Sequence, residues 1–200
     1  MHPNKHTINF KMALSDKTIL VIAGPSASGK SHTINNLLSS RTQTHQKKLR
    51  EKLDLHSQLK IGKINIERLS NKEKSKKRSK KMRKDVFIIH FDLTSRNQSK
   101  RRSQLKAVAS QYQTLKVVTI EVNFKTWQKR MAERIKHEFY GMPLSQAFWI
   151  YLVSLINPKH GKKCYRRVYQ DWSSLLDGIP TNQRLIFNGE TGAVRTEQSI

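Results

Sequence analysis

The sequence predicts an α/β fold, a three-layer sandwich with a mostly parallel central sheet and a basic insertion, on three observations. Short apolar runs alternate with segments of helical periodicity, the order that strand–helix–strand crossovers require. The apolar runs are nearly continuous rather than alternating, so each strand is expected to be covered on both faces. Between the first helix and the next long strand, Arg41 to Asp85 holds 17 Lys and Arg against 5 Asp and Glu, a composition unlike the rest of the chain.

Thr18 to Ala23 (T-I-L-V-I-A) is the first expected strand, ending at Gly24. Ser31 to Ser40 follows, with Ile34, Leu37 and Leu38 at helical spacing. Within 41–85, Leu49, Leu53 and Leu59 suggest an amphipathic helix, and Ile61, Ile64 and Ile66 either a short strand or a helix start. Lys72 to Lys84 has nine basic residues in thirteen and builds no core of its own. Val86 to Phe91 (V-F-I-I-H-F), ending at Asp92, and Lys116 to Val122 are further strands. Helices are expected over Gln98 to Gln113 and over Thr126 to Glu138, the second capped by Asn123 or Thr126. Pro143 to Ile156 reads as a helix that is apolar nearly all round and is stopped by Asn157-Pro158. Tyr165 to Leu176 reads as another, and Arg184 to Phe187 as a last strand closed by Asn188-Gly189. The chain divides into an N-terminal extension, 1–16, and one domain, 17–200, carrying the insertion 41–85.

The 200 residues suffice for one core without staples. The single cysteine, Cys164, excludes an internal disulfide and a cysteine-based zinc cluster, and a reducing, cytoplasmic setting is expected. Met1 to Asp16 lacks the apolar stretch of a signal peptide. The longest apolar run, Ala147 to Ile156, is too short to span a bilayer, so a soluble chain with no membrane partner is expected. The net charge of +25 attracts polyanions. Lys72 to Lys84 is accordingly a candidate nucleic-acid contact, with a targeting signal or a solvated insertion as alternatives. It has no interleaved aromatics for base stacking.

Gly24-Pro25-Ser26-Ala27-Ser28-Gly29-Lys30-Ser31 matches G-x-x-x-x-G-K-[ST] without exception. The chemistry explains the residue types. Glycines let the backbone curl so that its N–H groups face phosphate oxygens. The following helix turns its positive end to the same anion. Lys30 reaches the β- and γ-phosphates, and the Ser31 hydroxyl is a ligand for Mg²⁺. The motif also stands between a buried strand and a helix, the context it needs.

On these eight residues the chain resembles the P-loop NTPase superfamily, nearest to small P-loop kinases. The resemblance implies ATP or GTP with Mg²⁺ as cofactors. In such kinases an acidic residue at the end of the next strand orients the acceptor hydroxyl, and Asp92 matches that place; a Walker-B-like Mg²⁺ anchor and a simple turn cap are its alternatives. The resemblance is incomplete, because no D-x-D pair and no terminal Asp-Glu follows this strand. Lid arginines of small P-loop kinases neutralise the transferring phosphoryl group. Arg130 and Arg134, four apart on one helix face, resemble them, with a solvated face as the alternative.

His90 is expected to be buried rather than substrate-facing. Tyr165, Val168, Tyr169 and Trp172 are expected to be core rather than a stacking site for an anion. Three functions remain open on the sequence: a small-molecule or nucleoside-type phosphotransferase, a nucleotide-dependent nucleic-acid-binding protein (an NTPase or polynucleotide kinase), and a regulatory nucleotide-binding protein with little turnover.

Overall fold

The structure, a computed structural model, describes residues 17–39, 44–56, 58–70, 84–95, 98–112, 114–138 and 145–197. The extension 1–16 and, apart from Lys84, the arm Lys72 to Lys84 lie outside the described residues.

Among the described residues, six strands form one sheet: β1 (Thr18–Gly24), β2 (Ile61–Ile64), β3 (Val86–Asp92), β4 (Thr114–Glu121), β5 (Arg184–Asn188) and β6 (Val194–Thr196), in the order β2-β3-β1-β4-β5-β6. Every pairing is parallel except β5 with β6. Ile19 through Gly24 are all buried, so β1 is covered on both faces, as its continuous apolar run required. The sheet order reverses at β1: the chain leaves it for β2 and β3 on one side and for β4 and β5 on the other. The carboxyl ends of strands at such a reversal open a crevice, and the glycine-lysine loop stands there.

Among the described residues, seven helices accompany the sheet: α1 (Lys30–Leu38), α2 (Thr44–Lys52), α3 (Ile66–Ser70), α4 (Gln98–Ala109), α5 (Phe124–Glu138), α6 (Gln146–Ile156) and α7 (Pro158–Leu175). Helix α1 packs on β1 and β3 through Ile34 and Leu37, which are buried. Helix α7 packs on β4: the Tyr165 and Tyr169 hydroxyls donate to the carbonyls of Val122 (2.8 Å) and Ile120 (3.0 Å), and Trp172 Nε1 donates to Thr119 Oγ1 at 2.8 Å. Tyr165, Val168 and Trp172 are buried, in line with their helical spacing.

The first half of 41–85 takes the strand alternative at Ile61–Ile64: β2 pairs with β3 and closes one edge, and Leu49, Leu53, Leu55, Ile66 and Leu69 join the core. One segment differs from the sequence expectation. The last helix begins at Pro158, seven residues earlier than expected. Asn157-Pro158 does end α6, but Asn157 also caps α7, accepting from His160 N at 3.1 Å. Pro158 then sits in the first turn, where a missing N–H costs nothing.

Gly161 lies against α6. A Cβ there would come within 2.4 Å of Ser154 Cβ and 2.5 Å of Ser154 Cα. Gly161→Ala therefore forces the two helices apart. Overpacking of this kind costs about 1–3 kcal/mol or more, against roughly 1 kcal/mol of helix propensity gained. A net loss of stability is expected in denaturant unfolding, partly restored by adding Ser154→Gly, which removes the obstructing Cβ. Gly161→Ala with no loss of stability would refute the contact.

Candidate functional site

The loop 25–29 joins β1 to α1. Gly29 caps the helix with φ +99, a left-handed conformation that side chains resist. Ala27 also has positive φ, 63, at a cost on the order of 1 kcal/mol that the contacts around it must overcome. Three loop carbonyls each accept from a side chain. Lys30 Nζ donates to Pro25 O at 2.6 Å, Trp127 Nε1 to Ser26 O at 2.9 Å and an Arg130 guanidinium nitrogen to Ser28 O at 3.3 Å. The donors hold the carbonyl side of the loop. At its other end, the first-turn N–H groups of α1 have no acceptors within the helix. An anion at that helix end meets donors and the positive end of the dipole.

Register fixes the acid. Gly24 pairs with Asp92 across β1 and β3, which brings the carboxylate beside the loop. Asp92 Oδ2 accepts from the Ser26 hydroxyl at 2.7 Å. Oδ1 accepts from Thr94 Oγ1 at 2.7 Å and from Thr94 N at 2.9 Å. Thr94 Oγ1 in turn accepts from Ser26 N at 3.0 Å. A carboxylate has about four acceptor positions, and these three bonds leave one on Oδ2. Burial pushes the Asp92 carboxyl up, but the Lys30 ammonium, the Ser26 hydroxyl and Thr94 outweigh it and hold it below the ordinary carboxylate range.

Lys30 is buried. Burial lowers its ammonium to about 8; Asp92 opposes the shift, and Arg134 and Arg101 add to it. Arg134 and Arg101 thus lie close enough to Lys30 to disfavour its charge, and Arg130 reaches the loop at Ser28 O. His90 is half-buried, and burial, followed by the charge of Lys30, takes its imidazole down to about 4. At neutral pH it is uncharged. Ser31, in the first turn of α1, is exposed.

The eight loop residues, Asp92, Arg130 and Arg134 thus lie in one place. Three participants escaped the sequence reading. Thr94 and Trp127 act on Ser26 from 68 and 101 residues away, a relation that no local pattern carries. Arg101 lies over the Phe91 ring, 5.5 Å from its centroid. A signal for it existed: Lys100, Arg101 and Arg102 crowd the start of α4, whose first turn has no acid. Cations at the positive end of a helix are unfavourable unless an anion is brought there.

Mg²⁺ and a triphosphate suit this donor set. The loop supplies N–H groups and a buried ammonium, Ser31 an exposed hydroxyl, and Asp92 one remaining carboxylate position.

No family model matches the chain, and no curated protein matches it. Among solved structures it is similar to the crystal structure of APE1195, at 11% identity over 83% of this chain and 98% of that one, with a TM-score of 0.37. It is also similar to the structure of the YGR205w protein, at 10% identity over 97% and 95% of the two chains, with a TM-score of 0.39. Likeness at this level transfers no residue and no role, so the site stands on its own geometry.

Proposed function

We propose that the chain binds a magnesium nucleoside triphosphate, ATP or GTP, on Gly24–Ser31 and transfers the γ-phosphoryl group to a hydroxyl of a small acceptor molecule. The observation that carries this is the loop, tied at three carbonyls, with a buried lysine and a carboxylate fixed beside it. The acceptor O–H gives up its proton, to Asp92 Oδ2 where that position faces the acceptor and otherwise to solvent, as its oxygen bonds to phosphorus. The bond to the β-phosphate oxygen breaks, and nucleoside diphosphate leaves. Lys30, Arg130 and Arg134 neutralise charge on the transferring group. Asp92 offers its remaining Oδ2 position either to the acceptor hydroxyl or to the metal shell, and one position does not serve both at once. Magnesium, when bound, offsets phosphate charge; Ser31 and Asp92 are the residues to hold it.

The test incubates γ-labelled Mg-ATP or Mg-GTP with pooled hydroxyl acceptors and follows transfer of label. Transfer that disappears in Lys30→Ala supports the proposal. Tight nucleotide binding with no transfer to any acceptor identifies a binding protein and overturns it. The charge of +25 favours a second reading in which the acceptor is a nucleic-acid end, so 5′-hydroxyl DNA and RNA belong in the acceptor pool.

A further inference from the structure

Helix α6 packs by its small side and exposes its large one. Its buried residues are Ala147, Ile150 and Ser154, with Gly161 of α7 set against Ser154. Outward stand Trp149, 55% exposed, Leu155, 61%, and Ile156, 87%. Trp149, Leu152, Val153 and Ile156 follow the i, i+3, i+4, i+7 spacing of one helix face, Leu152 and Val153 half-buried between its exposed ends, and Leu155 widens it. Single exposed apolar residues are ordinary, but a contiguous apolar face marks a contact surface.

What flanks this face specifies its occupant. The corner after Ile156 continues into Pro158, Lys159 and His160, and Lys159, Lys162, Lys163, Arg166 and Arg167 are exposed. From Ser145 to Gln170 there is no Asp or Glu. The occupant is therefore apolar where it meets α6 and anionic where it meets the start of α7. A second copy of the chain fits poorly, since it would bring the same cations together on top of a net charge of +25. No helix of the described residues is long and apolar enough to cross a membrane, but lying on a surface takes no such length. An exposed apolar helix end bearing a tryptophan, followed directly by a run of exposed lysines and arginines without an acid, is the make-up of an interfacial segment.

We propose that the α6–α7 corner docks on an anionic phospholipid surface. Trp149, Leu155 and Ile156 sit at the boundary between headgroups and acyl chains, with Lys159, Lys162 and Lys163 over the lipid phosphates. This places the nucleotide site at a membrane surface without depending on what that site transfers.

Tryptophan emission provides the test, because Trp127 (0% exposed) and Trp172 (3%) are inaccessible and quenching reports Trp149. The full chain is mixed with phosphatidylcholine vesicles, with and without about 30% phosphatidylserine. The expected result is a blue shift and quenching by brominated acyl chains only with the anionic vesicles. At about 0.15 M salt, Leu155→Gln with Ile156→Gln should weaken vesicle binding at least about tenfold, with an unchanged unfolding midpoint. Three results overturn the proposal. The chain binds vesicles with no change at Trp149 and no loss in the double variant, so basic residues elsewhere act alone. Acrylamide fails to quench Trp149 in the vesicle-free chain, so another segment covers the face. Or sedimentation shows a dimer that the double variant dissolves.

Discussion

Lys30→Ala is expected to abolish measurable nucleotide binding or to lower turnover about 10²–10³-fold. The magnitude follows from burial. Lys30 Nζ lies in the loop it serves, 2.6 Å from Pro25 O, so no water replaces it when phosphate arrives. Its ammonium is lowered to about 8, first by burial, and a bound polyphosphate restores the charged form. The sign follows. Below about pH 8 the empty site already holds the proton, and affinity is flat. Above it, binding must take up a proton, and affinity falls toward tenfold per pH unit. Calorimetry at pH 8.5 in two buffers of different ionisation enthalpy measures the uptake. Wild-type affinity that stays level through pH 9.5, or a Lys30→Ala chain that binds and turns over nucleotide as the wild type does, removes Lys30 from the site.

Asp92→Asn is the second large effect, and it separates catalysis from architecture. Asparagine keeps an oxygen for Thr94 N and Thr94 Oγ1, and its amide can face the Ser26 hydroxyl. The loop is expected to survive, with nucleotide affinity within a few-fold. Turnover should fall about 10²–10⁴-fold, because the amide neither takes a proton nor holds a metal shell well. Asp92→Ala instead strips three donors of their acceptor and costs on the order of 2–4 kcal/mol of stability. If Asp92→Asn keeps full turnover while Asp92→Ala unfolds more easily, the carboxylate is a brace for the loop and the acceptor role is wrong.

Strands β1, β3 and β4 were legible in the sequence because burial on both faces leaves nearly continuous apolar runs. β2 was ambiguous for the opposite reason: as an edge strand it is half-buried, with Gly62 and Lys63 breaking the pattern. β6, three residues long, shows no period at all. The start of α7 was hidden because Asn157-Pro158 is a stop signal and a start signal at once. In the site, the loop and Arg130 with Arg134 were legible from fixed spacing along one segment. Thr94, Trp127 and Arg101 were not, since their work is done across the sheet. Asp92 stands at the end of β3 as strand logic expected, but its bonds to Ser26 and Thr94 depend on which rotamers the folded loop selects.

The three tied carbonyls have a kinetic consequence. On the proposed reading, a triphosphate would have to break only the Lys30 bond to Pro25, with Trp127 and Arg130 holding Ser26 and Ser28. Trp127 itself is wedged against Phe124 and Tyr165, so the aromatic stack acts as a fixed post. Capture then requires no slow rearrangement of the loop. Its rate is set by collision and by the field of the surrounding arginines, a step that quickens as ionic strength falls.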